Sequence, residues 1–254
     1  MTYTPDACIY IPTAPPPTHT HIDLFRTLYE ATMKNIRNKE ANGFKVYTGV
    51  VRHMQAASVK CPPNHSDLIE LYNGGRAVYH RFHAFIAEAA RASDTANTYK
   101  MHGTHQPCMK GIYRVLEKGV FKYNDDHEGE LDFSQVRDLV RGGIIDSTME
   151  GLAKVAKHLL GSANVQICRV KDRFNEPSAA GWTDLMVNFY FNDDPNKHVC
   201  EVQLIHFKML SQRTTQEGHN AYNIFRVRGY CYAALPIVLP SASVDHLSDH
   251  CTSP

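Results

Sequence analysis

Residues 181–210 read GWTDLMVNFYFNDDPNKHVCEVQLIHFKML, and this stretch decides the fold class. Two mainly apolar runs with polar residues at alternate positions flank the polar turn NDDPNKH, and a helical pattern follows the second run. The pattern predicts two adjacent strands and then a helix. It also puts acidic residues, Asp184 and Glu201, on a strand face that would otherwise be apolar.

The rest of the chain combines helical and strand patterns. Apolar residues recur at helical spacing from Ile22, and a second helical run has Ser66 or Asp67 as its N-cap and Gly74-Gly75 as an expected break or kink. From Lys110 the patterns predict a helix (KGIYRVLEKGVFKY) and then a short strand at the end of the segment FSQVRDLVRGGIID. A helix opened by the capping box STME at 147–150 follows, and then a strand (NVQICRVKDRF). This order predicts an α+β fold with a mixed or antiparallel sheet.

Composition excludes few functions. The 254 residues carry a net charge of +1, so no overall field favours nucleic acid or an anionic membrane. Seven scattered cysteines without a CxxC pair fit a reducing compartment. We find no membrane span, secretory signal, GxxxxGK[ST], HExxH or GxSxG pattern. We therefore expect a cytoplasmic protein, and a secreted effector remains an alternative.

The two central strands carry the first candidate site. Period-two alternation puts Asp184, Met186 and Asn188 on one face of the first strand, and Glu201 and Gln203 on one face of the second. Carboxylates on a rigid sheet favour a hard cation such as Mg²⁺, which often binds together with phosphates. The alternative is an ordinary sheet face with polar residues towards water, and spacing alone favours that alternative.

Basic residues form the second pattern. Lys110, Arg114 and Lys118 recur at i, i+4 and i+8, as on one side of a helix. Further basic or hydrogen-bonding groups cluster at Arg137 and Arg141, at Arg169, Lys171 and Arg173, and at His219, Tyr222 and Arg226. Cations beside a few fixed carboxylates suit phosphoryl transfer, because the cations neutralise phosphate charge. Singly, each cluster also fits a solvated charged face.

With these residues in view, the stretch from about 107 to 228 resembles the RelA/SpoT-like domain, the family of the (p)ppGpp alarmone synthetases. The matching motifs are KGIYRVLEK, LDFSQVRDLVRGGII, VKDRFNEPSAAGWTDL, EVQL and GHNAYNIFR, in family order. The resemblance implies a nucleotidyltransferase-like fold, with a mixed, largely antiparallel sheet flanked by helices and a helical N-terminal segment. It also implies Mg²⁺-dependent transfer of pyrophosphate from ATP to a ribose 3′-hydroxyl.

The resemblance assigns roles to individual residues. Asp138 and Glu201 would hold the metal, and Trp182 would stack on the acceptor base where the family usually has Tyr. The candidate catalytic residues are Asp138, Glu201, Arg141 and Gln203. The candidate nucleotide-binding residues are Lys110, Arg114, Lys118, Lys171, Arg173, Trp182, Asp184, His219, Tyr222 and Arg226.

Departures from the family pattern leave the function open. Residues 107–110 read PCMK where synthetases have GRxK, Gly143 stands at an arginine position, and residues 181–186 read GWTDLM in place of GYxSxH. A divergent transferase acting on a nucleotide or RNA hydroxyl is the first hypothesis. An inactive nucleotide-binding regulatory module, or a toxin or effector acting on the nucleotide pool or tRNA, is the alternative.

We divide the chain into four segments. A disordered Pro/Thr-rich tail at 1–20 precedes a helical N-terminal flank at 21–100, and a RelA/SpoT-like catalytic domain at 101–232 precedes a loose tail at 233–254. ATP and a nucleotide or RNA acceptor are the expected partners, with no membrane partner, and a homo-oligomer is possible.

Overall fold

The computed structural model describes residues 19–94, 97–99, 109–122 and 131–214. The expectations for residues 1–18 of the N-terminal tail, for the C-terminal tail, and for His219, Tyr222 and Arg226 fall outside these ranges, whereas residues 19–20 of the predicted tail belong to the first helix. In the helices of these ranges, no segment is both long and apolar enough to cross a membrane.

The described residues form six helices and five strands. The helices are α1 (His19–Lys39), α2 (Ala41–Ala57), α3 (Leu68–Ala92), α4 (Ile112–Lys122), α5 (Met149–Gly161) and α6 (Phe207–Thr214). The strands are β1 (Asn97–Tyr99), β2 (Arg141–Asp146), β3 (Val165–Asp172), β4 (Leu185–Phe191) and β5 (Cys200–His206). The two strands and the helix predicted from residues 181–210 are therefore confirmed as β4, β5 and α6.

The strands form one sheet in the order β1-β2-β5-β4-β3. β2 and β5 are parallel, whereas β1–β2, β4–β5 and β3–β4 are antiparallel. The predicted α+β fold with a mixed, largely antiparallel sheet and a helical N-terminal segment is confirmed. The central pair is parallel because the chain between β2 and β5 contains α5 and two further strands, which provide the crossover that a parallel pair requires.

One face of the sheet is apolar and packs on helices. Val202 of β5 lies opposite Val187 of β4, and both are fully buried. Phe82 of α3 stacks on Phe189 of β4 with 5.8 Å between ring centroids. The buried residues of α2, α3 and α5 join these strands in one hydrophobic cluster. Removing apolar surface from water stabilises the fold by about 25 cal/mol per Å², and burial on this face is therefore the main driving force for folding.

Helix α3 continues through Gly74-Gly75, so the expected break is wrong. A Cβ atom at Gly74 would lie 2.9 Å from His198 Nδ1, and one at Gly75 would lie 2.8 Å from Leu139 Cδ2. The glycines are therefore explained by close packing against other elements. The predicted N-cap is confirmed at Asp67, whose side chain accepts a hydrogen bond from Glu70 N.

Two local predictions need correction. Helix α5 is capped by Thr148, whose hydroxyl accepts from Gly151 N at 3.0 Å, so the helix starts one residue later than the capping box 147–150 implies. Strand β1 was not anticipated in the mainly helical first hundred residues. Its three residues are too few to give a periodic signal, and the strand exists through its pairing with β2.

We predict that Gly142→Ala destabilises the protein. Gly142 lies on the apolar face of β2, where a Cβ would sit 2.5 Å from Ile86 Cδ1 and 3.2 Å from Phe82 Cε1. Overpacking of this kind costs about 1–3 kcal/mol. Gly49→Ala is the matched control because Gly49 is an exposed residue of α2 with nothing within 4 Å of the added Cβ.

Urea unfolding followed by circular dichroism measures both variants. We expect Gly49→Ala to raise the free energy of unfolding by about 0.5–1 kcal/mol, because alanine replaces glycine within a helix. Equal stability of Gly142→Ala and wild type would contradict the described contact between β2 and α3.

Candidate functional site

Two backbone hydrogen bonds bring three distant chain segments together. Leu139 O accepts from Lys110 N at 2.9 Å, and Val140 O accepts from Glu201 N at 3.0 Å. Residues 139–140 therefore lie between Lys110, two residues before α4, and the start of β5. Asp138 comes immediately before them, its carboxylate accepts a hydrogen bond from Lys110, and its charge acts on the nearby carboxyl of Glu201.

Asp138 is the centre of a buried charged cluster. Its Oδ2 atom lies 2.5 Å from Lys110 Nζ, 2.7 Å from Lys118 Nζ and 3.8 Å from Arg141 Nη1. Asp138 and Lys110 are both buried. Moving charged groups out of water is costly, so the buried charges of Asp138 and Lys110 are tolerated because they neutralise each other. The structure thus brings Lys110, Lys118 and Arg141 together around Asp138, the carboxylate predicted to bind the metal.

The predicted basic stripe on α4 is only partly correct. Helix α4 begins at Ile112, so Lys110 precedes the helix and reaches Asp138 from the preceding turn. Arg114 is half-buried and forms an ion pair with Glu117 on the same helix. Lys110 and Lys118 therefore converge on one carboxylate, whereas Arg114 is held along the helix.

Glu201 lies on the second face of the sheet, which we call the polar face. The polar face is formed by Arg141 on β2, Glu201 and Gln203 on β5, and Asn188 on β4. In the register of the sheet, Arg141 and Asn188 flank Glu201 on either side. Gln203 Nε2 donates to Glu201 Oε1 at 3.0 Å. The shared face predicted for Glu201 and Gln203 is thus confirmed, and Cys200 points into the apolar core as expected.

The two carboxylates have opposite electrostatic environments. Burial alone would raise the pKa of Asp138, but Lys118 and Lys110 hold that pKa well below its usual range. Burial raises the pKa of Glu201, and the negative charge of nearby Asp138 raises it further. Burial also lowers the pKa of Lys110, against the opposing effect of Asp138. In the described part of the chain, Glu201 takes part in no ion pair.

These donors fit a divalent cation of the Mg²⁺ type. Asp138 Oδ1 is buried and has no hydrogen-bond partner among the described residues, so one hard carboxylate oxygen of Asp138 remains available to a cation. The described ranges contain no group of three His, Cys, Asp or Glu side chains arranged around a metal position. Two carboxylates, with waters and substrate phosphates as the other ligands, are a common Mg²⁺ arrangement.

Asp184 belongs to a different cluster from the one predicted. It precedes β4, is fully buried, and accepts from Arg173 Nη1 at 3.0 Å and from Trp182 Nε1 at 3.0 Å. The expected pairing of Asp184 with Glu201 is therefore replaced by the pair Asp138 and Glu201. The role of Asp184 in the structure is to orient an arginine and the only tryptophan of the chain.

Trp182 is half-buried between two helices. Gly181 has a φ angle of +81°, a region that favours glycine, and a Cβ there would lie 3.2 Å from Arg26 Cα. The turn directs the indole to the edge of Tyr29 on α1, with 5.7 Å between centroids, while Arg213 of α6 lies 5.0 Å over the ring. These two partners could not be predicted from local sequence patterns, because they lie far from Trp182 along the chain.

Further cations border the polar face on β3. Arg169 pairs with Asn188 in the register, and Lys171 pairs with Met186. Both basic residues are exposed. Partial burial and the charges of Arg173 and Arg169 lower the pKa of Lys171. Positive charge of this density favours a polyanionic ligand.

Several solved structures are similar to this chain. The small alarmone synthetase 1 of Bacillus subtilis bound to its product pppGpp shares 14% identity at a TM-score of 0.46, over 63% of this chain and 88% of that chain. Small alarmone synthetase 2 of Bacillus subtilis shares 16% identity at a TM-score of 0.45, over 63% of this chain and 80% of that chain.

A GTP pyrophosphokinase family protein from Streptococcus pneumoniae shares 15% identity at a TM-score of 0.39, over 61% of this chain and 81% of that chain. Alarmone synthetases are also the class to which the sequence resemblance points. No protein-family model matches the chain, and no curated protein matches it. The strand order β1-β2-β5-β4-β3 itself defines the mixed-sheet fold of this chain.

We predict opposite stability effects for two isosteric changes at the carboxylate pair. Asp138→Asn leaves two lysines without a counter-ion and should lower the free energy of unfolding at pH 7 by about 3–5 kcal/mol. Glu201→Gln replaces a buried carboxyl whose pKa is raised, and should increase stability at pH 7. Chemical denaturation as a function of pH measures both effects.

The pH dependence follows from the direction of each pKa shift. The stability from Asp138 is present above about pH 4, the unfolded value, and is lost as pH falls towards its depressed folded pKa. Glu201 has the opposite sign, because its raised pKa means that stability is lost as pH rises from about 4 towards the folded pKa. Lower stability of Glu201→Gln than of wild type at pH 7 would contradict the described environment of Glu201.

Proposed function

We propose that this protein is a Mg²⁺-dependent transferase that moves a phosphate-bearing group from ATP to a hydroxyl of a nucleotide or RNA. The observation that carries the proposal is the carboxylate pair Asp138 and Glu201 at the edge of a sheet face surrounded by cations. The motif resemblance over residues 107–228 supports the same chemistry.

Asp138 and Glu201 are the residues that would hold Mg²⁺ in this proposal. The bound ion would neutralise charge on the phosphates of ATP. Lys110 and Lys118 already neutralise Asp138, each through an Nζ atom within 2.7 Å of Oδ2. When a polyphosphate enters, these ammonium groups can be shared with its oxygens. Arg141, at 3.8 Å from the same oxygen, supplies a third cation to the transferred group.

Gln203 is the residue we assign to the acceptor hydroxyl. Its Nε2 atom is bonded to Glu201, whereas its Oε1 atom is buried and has no partner among the described residues. An unsatisfied buried carbonyl oxygen is costly, and a hydroxyl donor would satisfy it. Gln203 would therefore orient the hydroxyl on the polar face beside the metal carboxylates.

The acceptor base would lie against Trp182, as the resemblance implies. The bonds that fix Asp184 to Arg173 and Trp182 hold the indole in one orientation. Stacking on an aromatic ring contributes about 1–3 kcal/mol per base. We assign the remaining nucleotide contacts to Arg114 and Lys171, and to the predicted C-terminal group His219, Tyr222 and Arg226.

A nucleotide-binding module without catalysis is the second candidate. It is favoured by one observation: both lysines already occupy Asp138 Oδ2, so the cluster is neutralised within the folded chain. A cluster of this kind can persist as a structural element after chemistry is lost. The second candidate keeps the base-stacking role of Trp182 and predicts binding without turnover.

We predict that Glu201→Gln abolishes transfer while the protein remains folded. Loss of one group that stabilises charge in the transition state typically costs about 10²–10³-fold in rate. Purified protein would be incubated with ATP, Mg²⁺, mixed nucleotides and tRNA, and products would be separated by ion-exchange chromatography. Glu150→Gln is the control, since Glu150 is an exposed residue of α5 paired only with Lys154 among the described residues.

A new phosphorylated species from wild type and Glu150→Gln, but not from Glu201→Gln, is the expected result, and the product identifies the acceptor. Undiminished transfer by folded Glu201→Gln would remove Glu201 from the mechanism. Binding without any product from the wild type would favour the second candidate.

We predict that a purine nucleotide changes the fluorescence of Trp182 saturably. Stacking of a base alters the environment of the indole, and the chain has one tryptophan, so the signal reports this position alone. Titration with ATP, GTP and tRNA measures the change, and free N-acetyltryptophanamide titrated with the same ligands corrects for their absorption. No change with any of these ligands would contradict the assignment of Trp182 to the acceptor base.

A further inference from the structure

Two cysteines outside the candidate site approach each other closely. Cys61 lies in the connection 58–67 between α2 and α3, and Cys168 lies in β3. Their Sγ atoms are 2.8 Å apart, although 107 positions separate the residues in sequence. A disulfide bond is about 2.05 Å long, so the two sulfurs need less than about 1 Å of further approach.

The backbone holds this pair together independently of the thiols. Val59 N donates to Ile167 O at 3.1 Å, which attaches the connection to β3 one residue before Cys168. On the other side of Cys61, Asn64 is buried and its side chain bonds to Val136 O at 2.7 Å and to Val199 N at 2.8 Å. The connection is thus fixed on both sides of Cys61.

A strand irregularity presents Cys168 to the connection. The register of β3 with β4 shifts between Ile167 and Arg169, so Cys168 is the extra residue of the bulge. A bulge locally changes the direction of a side chain relative to regular alternation. Cys168 lies against Cys61, and its Sγ atom is also 3.5 Å from Asn188 O, an alternative acceptor for its single S–H. Cys200, by contrast, is fully buried in the apolar core, and its sulfur hydrogen-bonds to the backbone carbonyl of His198.

The surroundings favour Cys61 as the reactive sulfur. Cys61 is partly exposed, whereas Cys168 is buried. The hydrogen bond with Cys168 lowers the pKa of Cys61 to about 7, with help from the charges of Arg137 and Arg169. The same hydrogen bond and burial raise the pKa of Cys168. Because the thiolate is the nucleophile in disulfide exchange, Cys61 should attack first.

We propose that Cys61 and Cys168 form a reversible intramolecular disulfide, a redox modification site built into the junction of the helical flank and the sheet. The oxidant is a low-molecular-weight disulfide such as oxidised glutathione. The Cys61 thiolate attacks one glutathione sulfur and releases one glutathione thiolate. Cys168 then loses its proton as its sulfur attacks the Cys61 sulfur, and the second glutathione leaves and takes up that proton. Two protein thiols are oxidised and one glutathione disulfide is reduced to two thiols.

The bond would connect the N-terminal helices to β3 beside the polar face. Cys168 adjoins Arg169, and its sulfur contacts the backbone of Asn188, which flanks Glu201 in the sheet. Closing a loop of this length restricts the unfolded chain, so the oxidised protein should have the higher Tm. The modification site is independent of whether the polar face is catalytic.

The test is peptide mapping after equilibration of the folded full chain with oxidised glutathione. Trypsin should place Cys61 in peptide 61–76 and Cys168 in peptide 158–169, with no other cysteine in either. We expect these peptides to be joined in oxidised wild type and separated by dithiothreitol. Cys168→Ser should trap glutathione on Cys61, whereas Cys61→Ser should leave Cys168 unmodified. Cys251→Ser is the matched control and should behave as wild type.

Peptide mapping of the wild-type protein alone tests the proposal. Free alkylation of both cysteines in the oxidised wild type would overturn the proposal, as would a stable glutathione adduct on Cys61 that Cys168 fails to resolve. A joined peptide pair and a higher Tm that dithiothreitol reverses would support it. Mapping of the wild type decides the question even where a serine variant fails to fold.

Discussion

The hydrogen bonds of the segment 139–140 are the constraint on which the candidate site depends. One bond attaches Leu139 to Lys110, two residues before α4, and the other attaches Val140 to Glu201 near the start of β5. Together they extend the parallel β2–β5 pair towards Asp138 and place Arg141 opposite Glu201. Without this arrangement, Lys110, Asp138 and Glu201 would belong to three unrelated segments, and neither the buried cluster nor the polar face would exist.

Charge balance explains why the two carboxylates differ. Asp138 receives two ammonium groups at hydrogen-bond distance and is stabilised as an anion, whereas Glu201 is buried with a glutamine as its direct partner. A buried carboxyl at position 201 lowers the stability of the fold, whereas a glutamine there would not. Such a cost is understandable where a ligand, here a cation with its phosphates, supplies the missing positive charge.

The sequence predicted the elements well and the long-range contacts poorly. Periodicity identified β3, β4, β5 and α5, and alternation placed Glu201 with Gln203, because these signals are local. It could not show that Gly74-Gly75 serve close packing, since the neighbours His198 and Leu139 are distant in the chain. The partners of Asp184 and the approach of Cys61 to Cys168 were missed for the same reason: each depends on the assembled sheet. The motif resemblance, which draws on many segments at once, supplied Asp138 as the partner of Glu201.

The central claim is that Asp138 and Glu201 together hold a divalent cation bound with a polyphosphate. Crystals grown with Mn²⁺ and a non-hydrolysable ATP analogue, measured at the manganese absorption edge, test it most directly. The account predicts an anomalous peak within coordination distance of both carboxylates, with the phosphate chain directed to Lys110 and Lys118. A nucleotide bound elsewhere, or a bound nucleotide with no manganese between Asp138 and Glu201, would contradict it.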